Sequence, residues 1–168
     1  MFAKPAVIRK TQLLPISLEE AWNYFSSPKN LKEITPDYMD FQVHTPIEEL
    51  EEMYPGQMIS YTVRPVLGLP LQWTTEITHV EDKKFFVDEQ RVGPYSMWHH
   101  QHHFEEIEDG VLMTDIVHYM LPFGPLGWIA RKLFVERQLE GIFSYRFEVC
   151  NKKFGSGKSN ITTPTFKA

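Results

Sequence analysis

Six segments rich in β-branched and aromatic residues follow one another between residues 40 and 122, and they constrain the fold more than any other feature of the chain. Breakers such as LGLP, DKK, GPY and DG separate most of them. Strands joined by so few residues pair with their neighbours as antiparallel hairpins, because a parallel connection needs a crossover of about a dozen residues. The six segments are DFQVHT, QMISYTVRP, LQWTTEITHVE, KFFVDEQRV, SMWHHQHHFEEIE and VLMTDIVHYMLP. They predict one antiparallel sheet, with a helical turn in the acidic connector IEELEEMYPG between the first two strands.

A further strand and two short helices are predicted before this run. High β-propensity and alternation extend over residues 6–16. Ser17 followed by Glu20 forms a capping box, so a helix is expected over LEEAWNYFSS. Ser27 followed by Pro28 is typical of a helix start, which predicts a second short helix over KNLKEI.

After Pro122 the hydrophobic period changes to 3.6 residues. One long amphipathic helix is predicted from about Leu126 to Asn151, with a length of nearly 40 Å at about 1.5 Å per residue. Its expected apolar face consists of Ile129, Leu133, Val135, Leu139, Ile142, Phe143, Phe147 and Cys150. Gly141 lies in the middle at a cost of roughly 1 kcal/mol, which indicates either a close backbone approach or open space beside it.

The order of strand, two short helices, six strands and one long helix predicts a two-layer α+β domain. A curved seven-stranded antiparallel sheet is expected to wrap around the long C-terminal helix, with the short helices closing one end. The gap between the two layers is the natural place for a pocket. We expect residues 1–154 to form this single domain and residues 155–168, which are polar and lack periodicity, to form a flexible tail.

Composition excludes several classes of function. The net charge is −5 and no basic stripe is present, which disfavours a general nucleic-acid binder. No apolar run reaches about 18 residues and the first residues lack the apolar core of a secretory signal, so we expect a cytoplasmic protein without stable membrane insertion. The single cysteine, Cys150, cannot form an internal disulfide and is expected to be a buried helix residue. No cofactor is predicted, since the chain has no glycine-rich phosphate loop.

The fifth segment of the sheet concentrates the titratable residues. Its histidines are His99, His100, His102 and His103. Asp109-Gly110 predicts a two-residue type I′ hairpin loop in which Glu108 pairs with Val111. This register would place His102 opposite Val117, His100 opposite Tyr119, Phe104 opposite Asp115 and Trp98 opposite Leu121.

Because side chains alternate along a strand, this register sends two histidines to each face. The expected inward face consists of Trp98, His100, His102, Phe104, Asp115, Val117, Tyr119 and Leu121. The expected outward face consists of His99, Gln101, His103, Glu105, Thr114, Ile116, His118 and Met120, so that its three histidines would be solvated. A three-residue loop would exchange the faces. We prefer the two-residue loop because it alone brings Trp98, Phe104 and Tyr119 together inside.

Three interpretations of His100 and His102 stay open. Two imidazoles on one strand face can bind zinc, but Asp115 is expected beside Phe104 rather than beside both rings and no cysteine is near, so no metal site is predicted. Buried imidazoles can instead hydrogen-bond to Tyr119, Asp115 or the backbone, since an unpaired buried polar group costs about 1–3 kcal/mol. They can also orient a small amphipathic ligand, or transfer protons with the help of Asp115.

The element order, with the motifs GPY, WHHQHHF, TDIVHYMLPFGPLG and, in the last helix, FSYR, resembles the START-related helix-grip (SRPBCC) superfamily. It is most similar to small bacterial members described as ligand-binding or polyketide cyclase/dehydrase-like, over about Lys4 to Phe154. The resemblance implies a helix-grip fold with a deep hydrophobic cavity, which the superfamily uses for lipids, sterols, polyketides, quinones and other apolar molecules. The implied cavity positions are Trp98, His100, His102, Phe104, Asp115 and Tyr119 on the sheet and Leu139, Phe143 and Phe147 on the helix.

Two functions from different classes follow as expectations. The first is a binding module whose partner is a hydrophobic small molecule under the long helix, with apolar burial as the driving force. The second is a cyclase- or dehydratase-type enzyme in which His100 or His102 acts as acid or base and Asp115 orients it. No catalytic residue carries over from the superfamily, whose enzymes do not share one set. Regulatory roles also stay open, and the sequence predicts no oligomeric state.

Overall fold

The computed structural model of the protein describes residues 4–50, 52–65 and 68–157. Seven strands form one antiparallel sheet with the order β1-β7-β6-β5-β4-β3-β2. The strands are β1 (Ala6–Leu14), β2 (Gln42–Val43), β3 (Met58–Val63), β4 (Leu71–Glu81), β5 (Phe85–Val92), β6 (Met97–Ile107) and β7 (Gly110–Met120). Neighbours in the sequence are neighbours in the sheet except for β1, which pairs with β7. The predicted α+β class and the seven-stranded sheet are confirmed.

The helices lie at the two ends of the chain. They are α1 (Leu18–Phe25), α2 (Pro125–Ala130) and α3 (Glu136–Phe154), and a π-helical segment at Arg131–Val135 joins the last two into one long helix. Short 3₁₀ turns occur at Pro28–Asn30, Asp37–Met39 and Ile47–Leu50. The last of these is the turn expected in the acidic connector. Among the described residues, no helix is long and apolar enough to cross a membrane; the cytoplasmic location stays a prediction.

The predicted start of α1 is confirmed, while the second helix is shorter than expected. The Glu20 amide donates to Ser17 Oγ at 3.2 Å, which is the N-terminal cap that the sequence predicts. Ser27 makes no such bond, and the segment after it forms only a 3₁₀ turn. Asn30 Nδ2 donates instead to the Tyr24 carbonyl at 2.8 Å. Local side-chain bonds of this kind compete with helix propagation.

Aromatic side chains anchor α1 and α3 to the sheet. Trp22 of α1 meets Phe86 and Phe104 edge-on, with ring centroids 6.1 and 5.5 Å apart. Two residues of α3, Leu139 and Phe143, pack in a second cluster with Ala6, Ile8, Val117 and Tyr119. Cys150 is buried as expected. These two clusters fix the helices over the sheet and leave a space between them.

The first part of the long helix does not follow the predicted apolar stripe. Ile129 and Leu133 are 46% and 63% exposed, although both were expected to face the sheet. The π-helical segment contains an extra residue per turn, so the following face is rotated by about 100° relative to a regular helix. The stripe therefore turns inward only from Val135 onward. Within α2, Gly127 is the buried residue, and an added Cβ there would lie 2.1 Å from the Pro122 carbonyl oxygen.

Two further expectations concern the C-terminal region. Gly141 is exposed and has no atom within 4 Å of the position of an added Cβ, so open space rather than a close approach explains it. α3 ends at Phe154, and the division into a domain of residues 1–154 and a tail stays a prediction. Of the predicted tail, residues 158–168 lie outside the described part of the chain.

Candidate ligand cavity and histidine–aspartate cluster

The hairpin between β6 and β7 has a different loop from the predicted one. Ile107 pairs with Gly110, so the loop consists of Glu108 and Asp109, and the predicted pairing of Glu108 with Val111 is wrong. Neither loop residue has the positive φ that a type I′ turn requires, whereas Gly110 has φ 132°. A Cβ on Gly110 would lie 2.2 Å from the Leu14 carbonyl oxygen. The glycine is needed where β1 approaches closely, and not inside the turn.

This correction shifts the register by two residues, which preserves the faces and changes the partners. Trp98 lies opposite Tyr119, His100 opposite Val117, His102 opposite Asp115 and Phe104 opposite Met113. The two-and-two division of the histidines is confirmed, because His100 and His102 are buried while His99 and His103 are partly exposed. The outward rings are nevertheless partnered: His99 Nδ1 lies 2.8 Å from Glu89 Oε1. The outward histidines were expected to be solvated, and they are only partly exposed.

His100 and His102 lie between two buried carboxylates. On one side, Asp88 Oδ2 is 2.9 Å from His102 Nε2 and 3.3 Å from His100 Nδ1. On the other side, Asp115 Oδ1 is 3.1 Å from His100 Nε2 and 2.8 Å from His102 Nδ1, the latter outside hydrogen-bonding geometry. The two ring centroids are 3.8 Å apart. Arg146 Nη2 of α3 approaches Asp115 Oδ1 at 3.6 Å and completes the cluster.

The mutual attraction of these charges outweighs the cost of burying them. Burial by itself would raise the pKa of Asp88, but the charge of His100 and hydrogen bonds from both rings hold this pKa well below its ordinary value. Asp115 behaves in the same way, with Arg146 as its strongest charge partner. Burial would lower the pKa of His100, but the Asp88 charge and hydrogen bonds with both carboxylates raise it to about 9. At neutral pH the cluster therefore holds ionised carboxylates and a protonated His100.

A cavity of about 300 Å³ lies between the sheet and α3. Its walls are mainly apolar and aromatic, with Tyr61 and Trp73 from the sheet and Ile142 from α3 among the lining side chains. A polar patch interrupts them. It consists of Asp88, His100, His102 and Arg146, which the contacts above join into one group, while Thr75 and Gln138 are further polar side chains of the lining. The cavity thus offers a large apolar surface and one concentrated group of donors and acceptors.

The structure divides the expected cavity residues into two groups. Those that line the cavity are Trp98, His100, His102, Leu139 and Phe143. Phe104 lies instead under α1, with its ring centroid 5.5 Å from that of Trp22. Asp115 lies behind the two histidine rings, and Tyr119 is fully buried in the cluster around Val117.

Phe147 is also placed away from the cavity. Its carbonyl oxygen accepts a hydrogen bond from Gln12 Nε2 of β1 at 3.1 Å. The apolar face predicted from the sequence included Phe147, but the face that lines the cavity includes Ile142 and Arg146 instead. Consecutive helical residues point about 100° apart, so with Arg146 toward the cavity Phe147 lies on the flank of the helix near β1.

Sequence reasoning missed two members of the cluster, Asp88 and Arg146. Asp88 follows Phe86 by two positions, so strand alternation alone assigns its carboxylate to the inward face. A charge at a buried strand position is the signal that would have identified it. Arg146 belongs to the FSYR motif of α3 and lies four residues after Ile142 and four before Cys150, so the helical period places it on the predicted apolar face. A charge on that face is the signal that would have identified it.

Comparisons with known proteins identify the fold. No family model and no curated protein matches the chain. Among solved structures, TTHA0849 from Thermus thermophilus has a TM-score of 0.63 at 14% identity, covering 88% of this chain and 96% of that chain. CV1439 from Chromobacterium violaceum has a TM-score of 0.67 at 10% identity, covering 89% and 96%.

A third neighbour carries a descriptive name. StfQ, a di-domain ARO/CYC protein from the steffimycin biosynthetic pathway, has a TM-score of 0.67 at 12% identity. The match covers 90% of this chain and 51% of StfQ, so the chain corresponds to about half of that protein. At these identities the likeness shows a shared fold, a curved antiparallel sheet with a long C-terminal helix of the helix-grip type.

Proposed function

We propose that the protein is a member of the START-related helix-grip superfamily and binds a hydrophobic or amphipathic small molecule, of a lipid, polyketide or quinone-like kind. The observation that supports this proposal is the cavity of about 300 Å³ between the sheet and α3, whose apolar walls carry one polar patch. That volume is at the lower end of the range of about 300–1,000 Å³ for small-molecule pockets. Each 100 Å² of apolar ligand surface buried there would contribute roughly 2.5 kcal/mol before the costs of binding are subtracted.

The polar patch defines how such a ligand is oriented. His100 and Arg146 are both cationic at neutral pH and both line the cavity. Both ring nitrogens of His100 already face carboxylates, whereas the Arg146 guanidinium has five N–H donors and no acceptor. Arg146 therefore favours an oxygen atom of the ligand, in a carbonyl, hydroxyl or carboxylate group. The apolar part of the ligand then lies against Trp73, Trp98 and Ile142. A fully apolar molecule would leave the donors facing hydrocarbon, which is unfavourable.

Ligand binding is tested by filling the cavity. Ile142→Trp introduces a larger side chain at a position that lines the cavity. Ser144→Trp, on an exposed position of the same helix, is the matched control. Native mass spectrometry and solvent extraction of the purified wild type and the Ser144 variant should yield a lipid-like molecule that the Ile142 variant lacks. Wild-type protein that is empty, and that also fails to bind a fluorescent fatty acid, would contradict the proposal.

A second candidate function is catalysis of a cyclisation or dehydration, and the buried histidines with two carboxylates favour it. To act as an acid, His100 would give a substrate oxygen the Nδ1 proton that otherwise faces Asp88 at 3.3 Å, while Asp115 at Nε2 holds the ring in place. His102 is the other ring within reach of the cavity.

The two functions are distinguished by the fate of the bound molecule. If the extracted compound, or an aromatic polyketide analogue, is incubated with the protein, an enzyme converts it to a product that has lost water or gained a ring. His100→Gln should then abolish conversion while binding is retained. Return of the unchanged compound leaves the binding function as the conclusion.

A further inference from the structure

Three donor atoms of the cluster converge at one point on the cavity wall. They are Asp88 Oδ2, His100 Nδ1 and His102 Nε2, and each of these residues offers a ligand atom within 4.8 Å of the other two. The carboxylate oxygen is 2.9 Å from one nitrogen and 3.3 Å from the other. Ligands bonded to a first-row metal at about 2.0–2.2 Å lie about 3–3.5 Å from each other, so these spacings match those around a shared ion.

The other nitrogen of each ring, on the side away from Asp88, faces a carboxylate, which is the usual support of a metal-bound histidine. A ligating imidazole usually gives its second ring nitrogen to a carboxylate, which fixes the orientation of the ring. Asp115 Oδ1 lies 3.1 Å from His100 Nε2 and 2.8 Å from His102 Nδ1. Arg146 in turn approaches Asp115. Asp88 thus faces the two nitrogens that would bind the metal, and Asp115 faces the other nitrogen of each ring.

We propose that Asp88, His100 and His102 bind one divalent first-row transition-metal ion, with Asp115 as the outer carboxylate. Two imidazoles and one carboxylate are a donor set suited to iron, zinc or cobalt, and less suited to calcium or magnesium, which prefer oxygen ligands. The sequence does not predict this site, because the expected third ligand was Asp115 and not Asp88.

The position of the three residues leaves the metal accessible from the cavity. All three line it, while Asp115 does not. Three protein ligands leave coordination positions open, and here those positions would face the space in which a ligand oxygen or a water molecule can lie. The metal site stands independently of the proposed ligand, since it requires only the protein and the ion.

The test uses tag-free, chelator-treated full-length protein titrated with Co²⁺ alone, followed by calorimetry and by the visible absorption of the metal. We expect one equivalent to bind, with release of the proton that His100 carries at neutral pH in the metal-free protein, because a ligating imidazole is neutral. His102→Gln and Asp88→Asn should weaken binding by more than about 100-fold, and Asp115→Asn by about 10- to 100-fold, because it removes an outer-shell partner. The matched control is His99→Gln with His103→Gln, on the outward face of the same strand, which should leave the affinity unchanged.

Two results would overturn the proposal. One is the absence of saturable binding to the wild type; the other is binding that is lost in the outward variant and kept in the inward ones, which would identify an adventitious surface site. An inward variant can also lose binding because it fails to fold, so a second measurement uses the wild type alone. Long-range ¹H–¹⁵N spectra with Zn²⁺ should shift the ring nitrogens of His100 and His102 and leave those of His99 and His103 in place.

Discussion

The two faces of β6 place the same residue type in opposite environments at successive positions. His100 and His102 have side chains that are 9% and 6% exposed and lie between Asp88 and Asp115. On the outward face, the His99 side chain is 28% exposed and pairs with Glu89, which is equally exposed. The inward pair shares two carboxylates that are enclosed by protein, whereas the outward pairing is in contact with solvent.

The two faces also shift ring pKa values in opposite directions. Opposite charges outweigh burial at His100 and raise its pKa to about 9. At His103, burial and the nearby His102 charge lower the pKa. At His118, which is also outward, burial and the charge of His99 lower it. The consecutive histidines therefore do not form one site, because the charged groups around each face of the strand set the pKa values of the rings on that face.

The largest expected change in unfolding free energy comes from removing one carboxylate from each face of the sheet. Asp115→Asn leaves His100 and Arg146 buried without their shared anion, and breaking a buried ion pair in this way costs about 3–5 kcal/mol of unfolding free energy. Glu89→Gln removes a partly exposed partner of His99 and Arg91, for which less than about 1 kcal/mol is expected. Urea unfolding of metal-free protein measures both, and equal losses would show that the faces do not differ energetically.

The pH dependence of stability should have opposite signs for the two faces. The pKa of His100 is raised above its ordinary value of 6.5, so its contribution to the unfolding free energy is complete below about pH 6.5 and is lost as the pH rises toward 9. His103 and His118 have lowered pKa values, so they disfavour the folded state once the pH falls below about 6.5. The alkaline loss should be on the order of a few kcal/mol.

Urea midpoints of metal-free protein, measured from about pH 5 to about pH 9 so that they bracket the ordinary histidine pKa, separate these effects. His100→Gln should lose the alkaline decline seen in the wild type, and His103→Gln should keep it. The buried carboxylates act in a different window, since the lowered pKa values of Asp88 and Asp115 stabilise the fold above about pH 4 and that contribution is lost on further acidification. A wild type whose stability rises from neutral to alkaline pH would contradict the assignment for His100.

Strand order and strand faces could be predicted from the sequence because both depend on local patterns. Short breakers impose hairpins, and alternation assigns His100 and His102 to the inner face regardless of an even shift in register. The register itself could not be predicted from the turn alone. Gly110 suits the predicted turn, but the structure requires glycine there because the Leu14 carbonyl of β1 lies too close for a Cβ. Leu14 is distant in the sequence, so a rule based on neighbouring residues cannot predict this contact.

The composition of the cluster depended on information that one sequence does not contain. Asp88 has an inward position that alternation can supply, but its place opposite His100 depends on the register of β5 against β6, which the sequence does not specify. Arg146 shares the helical face of Ile142 and Cys150, but its approach to Asp115 depends on where α3 lies over the sheet. Hydrophobic periodicity also assumes a regular helix, and because the segment Arg131–Val135 is π-helical, it gave the wrong faces for Ile129 and Leu133.

Two glycines of the long helix allow the same comparison of an inward and an outward position, with smaller expected changes in stability. Gly141 is exposed with open space at the Cβ position, so Gly141→Ala should stabilise the protein by about 0.5–1 kcal/mol through helix propensity. Gly127 faces inward, and its alanine would place a Cβ 2.1 Å from the Pro122 carbonyl oxygen, which forces the backbone to move. We therefore expect Gly127→Ala to lower the urea midpoint and Gly141→Ala to raise it. A rise in both midpoints would mean that the backbone around Gly127 can relax to admit the methyl group.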